Sequence, residues 1–193
     1  MEKYELKPNS DLRKANLSGC DLSMIDLRDA DLSGANLAYS VLVMADLRGA
    51  NLTGANLRGA NLEGCNLFNT SLCEADLRDT CLQWANLAYA NLCKSNLQGA
   101  NLEGANLWNT SLQEVKFEGI NGSRVKIDTM TVNELNWKRA NLENSLLKVD
   151  GSLDGYGHGA AQLDQSGVTL IQSKPPLVPI IYWIRNLLSR RHD

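Results

Sequence analysis

Leucine recurs at every fifth residue along most of the chain. With each of these leucines taken as the centre of a five-residue unit, the centres run from Leu12 to Leu112 without a slip, and all 21 are Leu. Two residues before the centre, 12 of the 21 positions hold Ala; the rest hold Ser, Thr or Cys, apart from Ile25. One residue before the centre, 17 of the 21 hold Asp or Asn. A period of five fits neither regular element. Successive leucines would drift about 140° around a helix axis, and on a flat strand they would alternate between faces. Each unit must therefore contain a bend that points the next leucine inward again. The second residue after the centre carries that bend. It is Gly at 19, 34, 49, 54, 59, 64, 99, 104 and 119, and Asn or Asp at 29, 69, 79, 109 and 144. These residues suit the third position of a type II turn, where φ is positive.

A roughly right-angled bend per unit closes a square after four units, or 20 residues, and the chain then climbs by one strand spacing of about 4.8 Å. The register continues in weaker form through Phe117, Gly122, Ile127, Val132, Trp137, Leu142 and Leu147. That makes 28 units over residues 10–149, with 23 Leu centres. The expected fold is an all-β solenoid of about seven coils. Four Leu and four small residues per coil fill a narrow square interior, and each coil depends on its neighbours for stability. Residues 1–9 form a lead-in or cap.

The tandem pattern Ala-(Asp/Asn)-Leu-X-X, seen for example at residues 50–52, 55–57 and 60–62, resembles that of the pentapeptide repeat proteins. The resemblance covers about 140 of the 193 residues. It implies a right-handed quadrilateral β-helix, of a kind common in cyanobacteria and other bacteria, most members of which have no assigned activity. One branch, the quinolone-resistance type, mimics duplex DNA in shape and charge and binds DNA gyrase.

The pattern changes over residues 115–137. The small position becomes Val115, Ile120, Val125, Met130 and Leu135, and Gly122 stands at a centre, a gap that Ile120 could fill. This reads either as drift at the end of an array or as an end that binds a partner or a second copy. Residues 150–176 read as a Gly-rich connector with one short strand candidate, Val168–Ile171. Residues 177–193 read as an amphipathic helix with Ile180, Ile181, Ile184, Leu187 and Leu188 on one stripe, Pro179 in its first turn and Arg190 and Arg191 in its last. Three roles fit it: a lid over the open last coil, self-association, or attachment to a membrane surface through Tyr182, Trp183 and the arginines.

Composition narrows the function classes. A net charge of -3 and a pI near 5.4 argue against a basic nucleic-acid footprint, so no direct nucleic-acid partner is expected. The two histidines, His158 and His192, lie near the C-terminus, away from any nucleophile, and the repeated carboxylates follow the lattice without a cleft. No enzyme, cofactor or metal site is expected. The N-terminus shows no apolar signal-peptide core, and no apolar run is long enough for a spanning helix. Five cysteines then suggest reduced thiols and a cytoplasmic protein. Cys73 and Cys93 fall 20 residues apart, one coil spacing of about 4.8 Å, which permits a disulfide, although two free thiols fit a reducing compartment better. Two thiols alone do not make a zinc site.

Function in a solenoid lies on its outside, and residues 20 apart share a column. Phe68 and Trp108 fall in one column, beside Tyr89 in the next. Met24, Met44 and Trp84 share another, with Gly64 and Gly104 between and beyond, close to Val41 and Val43. Apolar surface of this kind marks contact sites or ladder-stabilising stacks. The expected function is a non-enzymatic scaffold that binds a protein partner through its outer faces. Gyrase mimicry and membrane-surface association are the alternatives, and a homodimer is one expected assembly. Arg28, Arg48, Arg58 and Arg78 interrupt the acidic positions, which weakens the DNA-like reading.

Overall fold

A computed structural model describes residues 4–128, 146–149 and 169–172, with side chains over residues 4–126. It is a four-sided β-solenoid. Parallel bridges join each residue to the one 20 further on, in four columns that start at Asp11↔Asp31, Asn16↔Asn36, Asp21↔Val41 and Asp26↔Asp46 and run through to Asn106↔Lys126. Three short strands continue the stack: β1 (Lys126–Asp128), β2 (Leu146–Val149) and β3 (Thr169–Gln172). β1 and β2 keep the 20-residue step, with Lys126 opposite Leu146. β3 pairs in parallel with β2 after a longer step, with Leu146 opposite Thr169. The sheet thus takes in a rung beyond residue 149, within the stretch read as a connector and one residue displaced from the strand candidate. The helix expected at 177–193 lies outside the described residues.

In a unit with Asp or Asn before its Leu, all five backbone amides are provided for, and this explains the repeat. The Leu amide donates to the next coil (Leu12 N to Asp31 O, 2.7 Å), as does the corner residue (Lys14 N to Ser33 O, 2.9 Å). The residue before Leu donates to the previous coil (Asp31 N to Ser10 O, 2.9 Å). The small residue closes the turn (Ala15 N to Leu12 O, 3.0 Å). The fifth amide, just after Leu, is bonded by the side chain two residues back. Thr53 N donates to Asn51 Oδ1 at 3.1 Å, Glu63 N to Asn61 Oδ1 at 3.0 Å and Arg13 N to Asp11 Oδ1 at 3.2 Å. The Asp/Asn preference is therefore an Asx turn, repeated wherever Asp or Asn precedes the Leu.

Every fifth residue from Asn9 to Arg124 has positive φ, as the bend requires. Glycine occupies part of this set, but Lys14, Met24, Tyr39, Met44, Trp84 and Tyr89 hold the same left-handed conformation, with φ between 55° and 62°. The cost is roughly 1 kcal/mol for each L-residue. The inter-coil bond made by the same residue's amide, such as Trp84 N to Glu103 O at 2.9 Å, helps to offset it.

The interior is a column of Leu flanked by small residues, with Leu12 to Leu112 fully buried. Phe117, Ile120 and Val125 are also buried, so the bulkier C-terminal units still turn inward. At the other end, Tyr4 and Leu6 pack against the first coil. Asn16 N, which has no earlier coil to bond, donates to Tyr4 Oη at 3.1 Å. Asparagine side chains link successive coils along the axis, as in Asn86 Nδ2 to Asn66 Oδ1 (3.3 Å) and Asn106 Nδ2 to Asn86 Oδ1 (3.1 Å).

Candidate interaction surface

The side chains that leave this lattice do so at the corners, at the residue just before each corner and at the residue just before each Leu. Met24 is 80% exposed and Trp84 55%, and Met44 and Val41 are exposed with them. Met24, Met44 and Trp84 share one corner column, as their spacing requires. The next side and its far corner carry Phe68 and Tyr89, whose ring centroids lie 5.3 Å apart at an interplanar angle of 58°. This tilted arrangement suits aromatic pairs. Trp108, placed with them by its column, is half-buried. Tyr39, at 64% exposure, is a further large apolar group, on another corner. Column sorting would have found it had every corner position been treated as outward, whatever its residue type.

Large corner residues lean along the axis onto the glycine one coil further on. The Met44 Sδ covers Gly64, the Tyr39 ring covers Gly59 and the Trp84 indole covers Gly104; a Cβ at any of these glycines would collide. Asp29 and Asp79 cover Gly49 and Gly99 in the same way. Each bulky group is thus seated on bare backbone and held in place.

The charges are neutralised locally. Arg28 pairs with Asp26 at 2.7 Å and reaches Asp46 in the next coil at 3.8 Å, and Arg48 pairs with Asp46 at 2.6 Å. Arg13 with Asp11 and Arg78 with Asp76 repeat the motif, and Arg58 reaches Asp79 at 3.5 Å. The Arg13 side chain, aided by its own backbone amide, holds the Asp11 carboxyl at about 2. Hydrogen bonds from the partner arginines likewise lower Asp26, Asp46 and Asp76, and the Ser23 hydroxyl lowers Asp21. Carboxylates held this low are poor proton donors near neutrality. Among the described residues, no group of three or more His, Cys, Asp or Glu is placed to hold a metal ion, and no helix is long and apolar enough to cross a membrane. Ile180, Ile181, Ile184, Leu187 and Leu188 lie outside those residues.

The fold and its repeating bonds define a β-solenoid scaffold built from five-residue units. The family of pentapeptide repeats matches it in eight copies, over residues 10–49, 30–67, 55–88 and 80–119. The chain belongs to this family. No curated protein matches it significantly. Among solved structures, a trypsin-treated variant of QnrB1, a plasmid-mediated fluoroquinolone resistance protein, is similar with a TM-score of 0.57 at 19% identity, covering 86% of this chain and 88% of that one. Full-length QnrB1 gives 0.53 at 20% identity, over 96% and 92%. A pentapeptide repeat protein from the cyanobacterium Cyanothece 51142 is 31% identical over 54% of this chain and 85% of that one, with a TM-score of 0.28. At its level of identity, the likeness to QnrB1 is one of fold.

Proposed function

We propose that the chain is a non-enzymatic scaffold, acting in the cytoplasm, that binds another protein through the corner column of Met24, Met44 and Trp84 and the adjoining side of Phe68 and Tyr89. The observation that carries this reading is the exposure of large apolar groups at left-handed corners, where glycine would sit without strain. Met24 is 80% exposed in that conformation. Aromatic anchors and adaptable thioethers are what protein interfaces favour, and Met44 and Trp84, already seated on glycine backbone, lose little entropy on binding.

The test is affinity capture from the source cells with the intact chain and with two variants, Met24→Ser/Trp84→Ser and Phe68→Ser/Tyr89→Ser. The expected result is a partner held by the wild type and lost by a variant of unchanged thermal stability. Equal capture by all three proteins, or no specific partner, overturns the proposal.

The fold likeness to a fluoroquinolone resistance protein supports a second reading, gyrase binding by DNA mimicry. The arginine–aspartate pairs weigh against it, because a duplex mimic needs unneutralised acidic columns. Failure to protect gyrase from a quinolone would remove this reading.

A further inference from the structure

Cys73 and Cys93 stand one above the other on the side that begins at Asp11. Ser71 pairs with Asn91 as an isolated parallel bridge. Around the cysteines, Leu72 N donates to Asn91 O at 2.7 Å and Glu74 N to Cys93 O at 2.9 Å. Cys93 N in turn donates to Asn91 Oδ1 at 3.1 Å. Backbone bonds on both sides of Cys73 therefore hold the two residues at one strand spacing, about 4.8 Å. Both thiols are free and half-buried. Their nearest column neighbours are Thr53 on one side and Gln113 on the other.

This spacing selects among the chemistries of a thiol pair. At about 4.8 Å between Cα atoms the pair lies within disulfide range, but both thiols are free here, and a disulfide would draw the Cβ atoms to about 3.5–4.5 Å and pinch the coils together. Tetrahedral zinc needs two further ligands. The other thiols are out of reach: Cys81 is on the opposite side, Cys65 is buried inside and Cys20 is at an inward position packed against the core. Two metal–sulfur bonds of about 2.3 Å laid end to end span about 4.6 Å, which matches the ladder. Soft thiolates select Cu(I) and similar ions. The geometry points to a two-thiolate site at Cys73 and Cys93 for a soft monovalent cation such as Cu(I), bound in linear coordination. On binding, each thiol loses its proton to solvent, and the resulting bis-thiolate complex carries one negative charge.

The test titrates the reduced, full-length chain with Cu(I) against a chromophoric Cu(I) chelator under anaerobic conditions. The expected result is one copper withdrawn per chain, with two sulfur neighbours in the X-ray absorption spectrum. Cys73→Ser and Cys93→Ser should each weaken the competition at least tenfold, and Cys81→Ser should leave it unchanged. Serine already occupies this column at Ser33, and Cys93→Thr, copying Thr53, is the second variant should serine disturb folding. Copper retained by Cys73→Ser or Cys93→Ser, or three or more sulfur neighbours, overturns the site. So does ready oxidation of the folded chain by a thiol oxidant to a Cys73–Cys93 disulfide, which would show that the coils pinch together at this pair.

Discussion

The Trp84 indole lies over the backbone of Gly104, one coil further along the axis, close enough that a methyl group at 104 would collide with Cε3 and Cζ3. Gly54 has the same left-handed conformation, and a Cβ there meets no atom within 4 Å. Gly54→Ala should therefore cost about 1 kcal/mol, the backbone term alone. Gly104→Ala should cost about 2–3 kcal/mol, because the indole must also move. Chemical denaturation measures both, and adding Trp84→Ala to Gly104→Ala should bring the loss back toward that of Gly54→Ala.

The asparagine column offers a separate test. Asn86 donates to Asn66, accepts from Asn106 and also accepts from Ala88 N. Asn86→Ala removes all three bonds and should cost about 2 kcal/mol. Asn86→Asp keeps both acceptor functions and loses the donor, so it should cost less. Equal losses in thermal melts would mean that the axial ladder contributes little.

In the interior, Leu67 is fully buried in a middle coil. Leu67→Ala leaves a cavity that the bonded coils on either side cannot collapse around, and about 3–4 kcal/mol of stability should be lost. Leu12, in the first coil, has a neighbouring coil on one side only, and Leu12→Ala should cost less. Denaturant midpoints at an unchanged m-value would check both.

Acid should weaken the fold in a defined window. Asp11 falls from an ordinary 3.8 to about 2 in the folded chain, and Asp21, Asp26, Asp46 and Asp76 are lowered as well. Groups with depressed values bind fewer protons when folded, so their stabilisation is complete above the unfolded value and is lost as pH falls through the folded one. Melting temperature should be level above about pH 5 and decline from about pH 4 toward 2. A lattice of Asp11→Asn, Asp26→Asn, Asp46→Asn and Asp76→Asn should show a shallower decline.

Much of this architecture is legible in the sequence, because the features that determine it repeat. Leu12 to Leu112 predict the interior, and Gly19, Gly34 and their counterparts predict the bends. The corners at Met24, Tyr39 and Trp84 were harder to read as backbone positions. Local preference disfavours L-residues there, and the ladder of inter-coil bonds overrides it. The role of Asp and Asn before each Leu also depends on geometry, since the amide they cap is identified only once the other four have partners. Of the candidate surface, the column of Met24, Met44 and Trp84 follows from arithmetic in steps of 20. The half-burial of Trp108 and the exposure of Tyr39 depend on side-chain directions that counting does not supply. The pairing of β3 with β2 breaks the 20-residue step, so no periodic reading reaches it.

A return after 20 residues also has a hereditary consequence. Duplicating or deleting one such block lengthens or shortens the column and leaves the pattern of every side intact. A copying error of a single unit of five would keep the interior filled but rotate everything downstream by a quarter turn. Trp84 would then leave the corner it shares with Met24 and Met44, so selection on the outside alone is enough to keep insertions in multiples of four units.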